Sequence, residues 1–138
     1  MSLALPPELA RLVEAARLVR ERAYAPYSAF RVGAAIETPS GAVYSGANVE
    51  NASYGASMCA ERVAVGCMVA AGEHAIARVA VYAEGSTISM PCGMCRQVIS
   101  EFGANATIIA AGPGGSRTLL LSELLPLPFL FTPPGGTS

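Results

Sequence analysis

The chain has 138 residues, of which 52% are hydrophobic and 14% charged, and its formal net charge is -1. Its nine basic residues are all arginine and are scattered among ten acidic ones. Nucleic-acid binding depends on clustered basic side chains that neutralise phosphates, so this composition disfavours a DNA or RNA partner and favours a small-molecule substrate. The length fits a single domain over 1–138. The low charged fraction predicts that other subunits cover part of the apolar surface.

Neither a membrane span nor a targeting signal is expected. No stretch approaches 18 uncharged apolar residues. The opening stretch, MSLALPPELARLVEAARL, has Pro6, Pro7 and Glu8 where a signal peptide carries basic residues, and it predicts the first helix of the domain. A cytoplasmic location is therefore the expectation. In that compartment the four cysteines stay reduced and serve metal binding or catalysis more often than disulfides.

The first part of the chain predicts a helix followed by a β-hairpin. Pro7 suits a first-turn position of the helix, and Pro26 breaks the helix. Segment 30–36, FRVGAAI, alternates as a strand does, with Phe30 on its apolar face. A turn rich in Pro, Ser and Gly then leads to a returning strand at 43–47. Apolar residues recur at helical spacing in the first segment at Leu9, Leu12, Val13, Ala16, Val19 and Ala23.

The second part predicts helices that connect strands. A polar loop precedes a helix over 59–72, with Gly72 as its stop, and a strand follows over 77–83. A helix after the next loop ends at Gly103 and leads to a buried strand over 106–112. A hairpin followed by helix-connected strands predicts an α/β fold with a mixed sheet covered by helices.

The end of the chain carries weaker signals. A further strand is possible near Arg117 to Leu120, and SELLP predicts a short helix with Ser122 as its cap. The tail over 132–138, TPPGGTS, is expected to be loose. There is no internal repeat and no linker, which agrees with one domain.

Two cysteines in PCGMC, Cys92 and Cys95, could form a redox pair, half of a structural zinc site, or part of a catalytic metal centre. A third, Cys59, lies 33 residues upstream at the head of another predicted helix, with Glu61 two residues further on. Both helices are expected to start at the same edge of the sheet, so the motifs can meet. Three thiolates would leave the fourth position of a zinc tetrahedron to water, and Glu61 could then take and deliver protons.

These motifs, taken in order, resemble those of the zinc-dependent cytidine deaminases, in particular the small homotetrameric branch that uses three cysteines. The resemblance covers nearly the whole chain and rests on AYAPYSAFRVGAA, NVENASYG, CAER, PCGMCRQVISEF and ELLPLPF. It implies a three-layer α-β-α sandwich with a mixed sheet of about five strands. It also implies a hydrolase of pyrimidine salvage, which converts cytidine and 2'-deoxycytidine to uridine and 2'-deoxyuridine and releases ammonia.

The resemblance also implies a role for each matching residue. One zinc per subunit would be bound by Cys59, Cys92 and Cys95, and Glu61 would shuttle protons. Arg62, and by its position Arg96, would supply positive charge beside the thiolates. The substrate would be contacted by Phe30 at the pyrimidine, Asn48 and Glu50 at the ribose, the Ala60 N–H at the base carbonyl, and Ala52, Tyr54 and Phe129 from a neighbouring subunit.

Rival interpretations remain open at this point. An aminonucleoside deaminase of the blasticidin S type shares the cysteine motifs, although NVEN and Phe30 favour cytidine. A non-catalytic zinc-stapled module would not need Glu61 and should supply a fourth ligand. Phe30 could instead be an ordinary core residue. Non-functional readings are favoured for five further residues, with core packing expected for Cys67, a packing role for Met58, Met68 and Met94, and a surface position for His74. Met90 and Met94 depart from the family pattern and are expected to lie next to the pocket, where they would affect substrate preference.

Overall fold

The computed structural model describes residues 4–135, and over that range it contains four α-helices and one five-stranded sheet. A short 3-10 turn at Tyr54–Ala56 precedes the second helix. In chain order the elements are α1 (Pro7–Arg20), β1 (Val32–Glu37), β2 (Val43–Ala47), α2 (Ala60–Ala70), β3 (Arg78–Ala83), α3 (Gly93–Phe102), β4 (Thr107–Gly112), β5 (Gly115–Leu120) and α4 (Leu121–Leu124). None of the helices within 4–135 is long and apolar enough to cross a membrane.

The sheet has the order β2-β1-β3-β4-β5 and is mixed, as predicted. Strand β1 pairs antiparallel with both β2 and β3, and β4 pairs antiparallel with β5. Strands β3 and β4 are parallel, because α3 carries the chain back across one face of the sheet between them. Helices α2 and α3 therefore flank β3 in sequence and lie side by side.

Helix α1 covers one face of the sheet. Its buried residues Leu12 and Ala16 pack against Ala35, Ala80 and Ile109 from three adjacent strands. The helix approaches β1 so closely that a β-carbon on Gly33 would lie 1.9 Å from the Ala16 carbonyl oxygen, so only glycine fits there. The predicted apolar stripe is confirmed along the helix, except that Ala23 lies beyond its end.

Helices α2, α3 and α4 cover the opposite face. Their buried residues, among them Met68, Ile99 and Leu121, pack against the other set of alternating strand residues, which includes Ile36 and Ile108. Because both faces are covered, the central strands are buried on both sides. The three-layer α-β-α sandwich is thus confirmed.

Two predictions about side chains are wrong. Ser122 does not cap α4, because the helix begins directly after β5 and Ser122 falls inside its first turn. The free backbone N–H of Leu120 instead donates to the carboxylate of Glu123 at 3.2 Å. Cys67 is exposed instead of packed in the core, because the buried stripe of α2 runs through Ala60, Glu61, Ala64, Val65 and Met68 and Cys67 lies off it.

Of the three methionines expected to pack, one is buried and two are exposed. Met68 is a core residue, as expected. Met94 is 61% exposed and Met58 is 42% exposed, so core packing is wrong for both of them. His74 is exposed, in agreement with its expected surface position. The predicted single domain includes residues 1–3 and 136–138, which lie outside the described residues. Residues 136–138 are also the last part of the predicted loose tail.

Candidate metal centre and active site

Three cysteine sulfurs meet where helices α2 and α3 begin. Cys59 is the residue before α2, Cys92 is the residue before α3, and Cys95 lies in the first turn of α3. All three sulfurs lie within 4.8 Å of one another, and those of Cys59 and Cys92 are 3.9 Å apart. Free N–H groups and the positive end of the dipole at each helix start favour negative charge on these sulfurs.

The spacing of the sulfurs fits one zinc ion. Tetrahedral zinc with Zn–S bonds of about 2.3 Å places its sulfurs about 3.8 Å apart. No fourth His, Cys, Asp or Glu atom from residues 4–135 joins the cluster. The donor set is therefore compatible with one zinc ion held by Cys59, Cys92 and Cys95, in the three-ligand pattern typical of catalytic zinc.

The cysteine thiols influence each other's ionisation. Hydrogen bonding from the Cys95 thiol, aided by Arg62 and Cys92, lowers the pKa of Cys59 to about 5. The same contact with Cys59, together with burial and the nearby Glu61, raises the pKa of Cys95. Of these two thiols Cys59 therefore ionises first, and metal binding would release the proton of Cys95.

Arg62 places a positive charge beside the cluster. Its Nη2 atom donates to the Cys59 sulfur at 3.6 Å and to the Ser57 carbonyl at 3.3 Å. Zinc with three thiolates would carry a net charge of -1, so a cation here offsets excess negative charge. Arg96 is used differently, because its guanidinium donates to the backbone carbonyls of Pro91 at 2.7 Å and Leu124 at 3.0 Å. These two contacts tie α3 to the loop before it and to α4.

Glu61 is buried close to the cysteines. It is the second residue of α2, and only 5% of its surface is exposed. Burial raises the pKa of its carboxyl group, and the negative charge on Cys59 adds to this, while Arg62 opposes it. A carboxyl group whose pKa is raised toward neutrality can both accept and return a proton, which is what general acid–base catalysis needs.

A cleft of about 290 Å³ opens onto this centre. Its wall includes Glu61, Cys59 and Cys92, whereas Cys95 is buried behind them. The predicted substrate residues Phe30, Asn48, Glu50 and Ala60 also line it. The N–H of Ala60, in the first turn of α2, has no intrahelical acceptor and so is free to bind a ligand.

Phe30 lies just before β1 and does not belong to the core. It is 44% exposed, so the core alternative for this residue is wrong. The side chain of Asn48 fixes the backbone on either side of Arg31: its Nδ2 donates to the Phe30 carbonyl at 2.9 Å, and its Oδ1 accepts from the Val32 N–H at 2.8 Å. Asn48 thus fixes the backbone that carries Phe30, and the Phe30 side chain lines the cleft.

Glu50 accepts hydrogen bonds from the loop before β1. Its Oε1 atom accepts from the N–H groups of Tyr27 at 2.9 Å and Ser28 at 3.1 Å, and its Oε2 accepts from the Ser28 hydroxyl. Hydrogen bonding by the Ser28 side chain, and then by the two backbone N–H groups, lowers the pKa of Glu50. Glu50 is thus an ionised acceptor at the edge of the cleft.

The residues expected to serve a neighbouring subunit lie outside this cleft. Ala52 is exposed, and Tyr54 is 77% exposed, with its ring against that of Tyr27 at a centroid distance of 6.0 Å. Phe129 is 73% exposed, and its backbone exchanges two hydrogen bonds with the Gln97 side chain, each of 2.9 Å. The chain therefore does not bring these three residues to its own metal centre.

Sequence reasoning missed several residues of the cleft. Ser57, Met58 and Ser89 line it, and Ser28 contacts two of its lining residues. Met90, which was expected next to the pocket, lines it as well. Met58 could have been found from its place next to Cys59, and Ser89 from its place shortly before the PCGMC motif. Ser28 carried no such signal, because its contacts depend on how a loop folds.

Comparison with known proteins decides the family. A model of the cytidine and deoxycytidylate deaminase zinc-binding region matches residues 7–111. The chain belongs to the cytidine deaminase family. The residues matched extend from the start of α1 into β4, so this family membership covers both cysteine motifs and every layer of the sandwich.

Individual cytidine deaminases match over most of their length. One from Halalkalibacterium halodurans is 43% identical over 117 residues, which cover 83% of this chain and 89% of that protein. The crystal structure of a cytidine deaminase from Burkholderia pseudomallei superposes with a TM-score of 0.83 and 45% identity, covering 87% of this chain and 98% of that one. A blasticidin-S deaminase from Bacillus cereus is 29% identical over 106 residues, covering 71% and 76% of the two chains.

Proposed function

We propose that this chain hydrolyses cytidine and 2'-deoxycytidine to uridine and 2'-deoxyuridine, with release of ammonia. The observation that carries the proposal is the placement of buried Glu61 beside three clustered cysteine sulfurs in one cleft. A closed structural zinc site would need neither a cleft nor a buried carboxyl group. The similarity to cytidine deaminases supports the same chemistry.

The three cysteines and Glu61 would carry out the chemical step. Zinc held by Cys59, Cys92 and Cys95 would supply Lewis-acid activation of water. Glu61 would accept a proton from the attacking water and return it to N3 of the pyrimidine. It would then move the proton of the new C4 hydroxyl group to the amino group, which leaves as ammonia while C4 becomes a carbonyl.

The other cleft residues would bind and orient the nucleoside. Phe30 offers an apolar face to the pyrimidine, and the Ala60 N–H can donate to the base carbonyl. Glu50 and Asn48 would bind the ribose hydroxyls, with the ionised Glu50 forming the stronger, charge-assisted bond. No Lys or Arg is among the described residues that line the cleft. A negative carboxylate without a nearby cation disfavours a 5'-phosphate, so a nucleoside is the substrate proposed.

The active species proposed is a homotetramer in the cytoplasm, working in pyrimidine salvage. Support for the assembly comes from apolar side chains near the end of the chain, of which Leu127 is 90% exposed and Leu130 is 82% exposed. Contiguous apolar surface of this kind favours contact with another protein. In such an assembly Ala52, Tyr54 and Phe129 would reach the cleft of a neighbour, which fits their exposure in the single chain.

A substrate panel tests the proposal. Ammonia release is measured with cytidine, 2'-deoxycytidine, cytosine, cytidine 5'-monophosphate and blasticidin S, using zinc-loaded protein. We expect turnover of both nucleosides and at least tenfold lower kcat/KM for cytosine and the monophosphate, since about 1.4 kcal/mol of lost binding is already a tenfold effect. Turnover of blasticidin S but not of cytidine would contradict the proposed substrate. Full zinc content without turnover of any compound would indicate a non-catalytic module.

A further inference from the structure

The hydroxyl group of Ser28 links two residues of the cleft that are far apart in sequence. It donates to Oε2 of Glu50, and it accepts from the backbone N–H of Phe30 at 3.0 Å. The direction follows from the chemistry, because an ionised carboxylate only accepts hydrogen bonds and a backbone N–H only donates them. One hydroxyl therefore holds the sugar-side carboxylate and the base-side aromatic residue at once.

The loop that carries Ser28 has little else to hold it. Residues 26–31 are all exposed, so core packing does not fix their conformation. Ala29 adopts a left-handed conformation with φ of 60°, which a residue with a β-carbon occupies only when its surroundings impose it. Hydrogen bonds impose it here. The Ala29 N–H donates to the Ala25 carbonyl at 3.0 Å, Asn48 donates to the Phe30 carbonyl, and N–H groups of the loop donate to Glu50.

We propose that Ser28 is a positioning residue that sets the sugar-binding carboxylate of Glu50 and the base-binding ring of Phe30 in one geometry before the nucleoside arrives. The inference rests on the proposed function and adds to it. Ser28 is not among the residues that line the metal-centre cleft, but it contacts two that are, and its proposed action on the substrate runs through them. Its lowering of the pKa of Glu50 agrees with a contact to the ionised carboxylate.

The proposal predicts a defect in binding and not in chemistry. Without the hydroxyl, Glu50 loses one donor, and the Phe30 N–H loses its acceptor, so both groups must be ordered when the nucleoside binds. The three cysteines and Glu61 lie in or just before α2 and α3, so the substitution should leave their contacts unchanged. We expect Ser28→Ala to raise KM for cytidine and the dissociation constant of uridine about tenfold, as for the loss of a hydrogen bond to a charged group, with kcat changed less than threefold.

The experiment compares three variants with the wild-type protein. Ser28→Thr keeps the hydroxyl and should restore KM to within threefold of wild type. Ser40→Ala is the matched control, because its hydroxyl also donates to a glutamate, Glu73 at 2.8 Å, but in the β1–β2 turn away from the cleft. The readouts are kcat and KM for cytidine, the dissociation constant of uridine by calorimetry, and zinc content.

The outcomes separate this inference from the proposed function. If the wild-type protein does not turn over cytidine, the proposed function fails whatever Ser28 does. If it does turn over cytidine and Ser28→Ala leaves KM and uridine binding within twofold, or Ser40→Ala raises KM equally, the positioning role is overturned. Should Ser28→Ala not fold, Ser28→Cys, with only a weak S–H donor of similar size, replaces it under the same two criteria.

Discussion

The positive charge of Arg62 acts on both Cys59 and Glu61. Its guanidinium donates to the Cys59 sulfur, and its Nε atom is buried without an acceptor among the described residues. The same charge lowers the pKa of Glu61, against the larger effect of burial. Arg62 thus stabilises the anionic form of both a proposed metal ligand, Cys59, and the proposed proton shuttle, Glu61.

Replacing Arg62 with Ala should move the acidic limb of the pH–kcat/KM profile to higher pH. The removal of a nearby cation raises the pKa of Glu61 further, so the deprotonated form that accepts the first proton is populated only at higher pH. Zinc retention should also weaken by about 10- to 100-fold, as for other outer contacts of metal ligands. Arg78→Ala, which removes only an ion pair with Glu37, is the control. An unchanged profile and full zinc content would remove Arg62 from this role.

The sequence predicted which residues form the site better than it predicted which side chains near the site are buried. The clustering of the three cysteines beside Glu61 could be predicted from motif spacing, because both motifs sit where helices begin. Cys67 was misjudged from its depth along α2, whereas its rotational position relative to Ala64 and Met68 decides burial. Met94 was misjudged because a position between two ligands at a helix start faces the solvent as readily as the core.

At the scale of elements, close packing of α2 on the sheet fixes the position of Cys59. A β-carbon on Gly46, in β2, would lie 2.5 Å from the Ala64 nitrogen and 3.0 Å from the Ala60 carbonyl oxygen. Only glycine leaves room for the helix backbone at this distance. The first turn of α2, which carries Glu61 and follows Cys59, is thereby held against the strand.

Gly46→Ala should lower the free energy of unfolding by about 1–3 kcal/mol or more, because overpacking forces α2 away from β2. It should also reduce zinc content, since Cys59 moves with the helix. Gly66→Ala is the matched control on α2, where the added methyl group meets open space and should stabilise the helix by about 0.5–1 kcal/mol. Urea unfolding and metal analysis measure both effects. Equal stability of the two variants would contradict this packing.

Hydrophobic periodicity and turn signals predicted the first four strands and the three longer helices, because buried elements have a strong pattern. The fifth strand was only a possibility near Arg117 to Leu120, since no residue of β5 is buried and its pattern is weak. Periodicity could not predict the conformation of the loop before β1. The left-handed Ala29 and the contacts of Ser28 depend on residues about 20 positions away, which no local pattern encodes. Ser122 was chosen as a cap from residue type alone, but the end of β5 fixes where α4 begins.

At the scale of the whole molecule, the segment 126–131 has no partner within the described chain that covers its apolar side chains. Leu127, Phe129, Leu130 and Phe131 are each at least 72% exposed. The Gln97 side chain holds this segment against α3 through the backbone of Phe129. A fixed apolar surface next to α3, at whose start two of the clustered cysteines lie, suits a subunit interface close to the candidate active site.

Leu130→Glu should therefore dissociate the proposed homotetramer, because an interface core does not tolerate an unpaired charge. Light scattering should give about 56 kDa for the wild-type protein, four times the 14.1 kDa chain, and a smaller mass for the variant. Leu18→Glu, at a leucine that is 56% exposed on α1, is the control and should leave the mass unchanged. A wild-type protein that is monomeric at micromolar concentration would contradict the assembly.

The most direct test of the account measures ammonia release from cytidine by Glu61→Gln at zinc content equal to that of the wild-type protein. Glutamine keeps the shape of the side chain but cannot shuttle protons, and the three sulfur ligands remain in place. The account predicts one zinc per chain and a loss of kcat of about 10²- to 10⁴-fold, the usual contribution of general acid–base catalysis. Activity within a few-fold of wild type at full zinc content would contradict it.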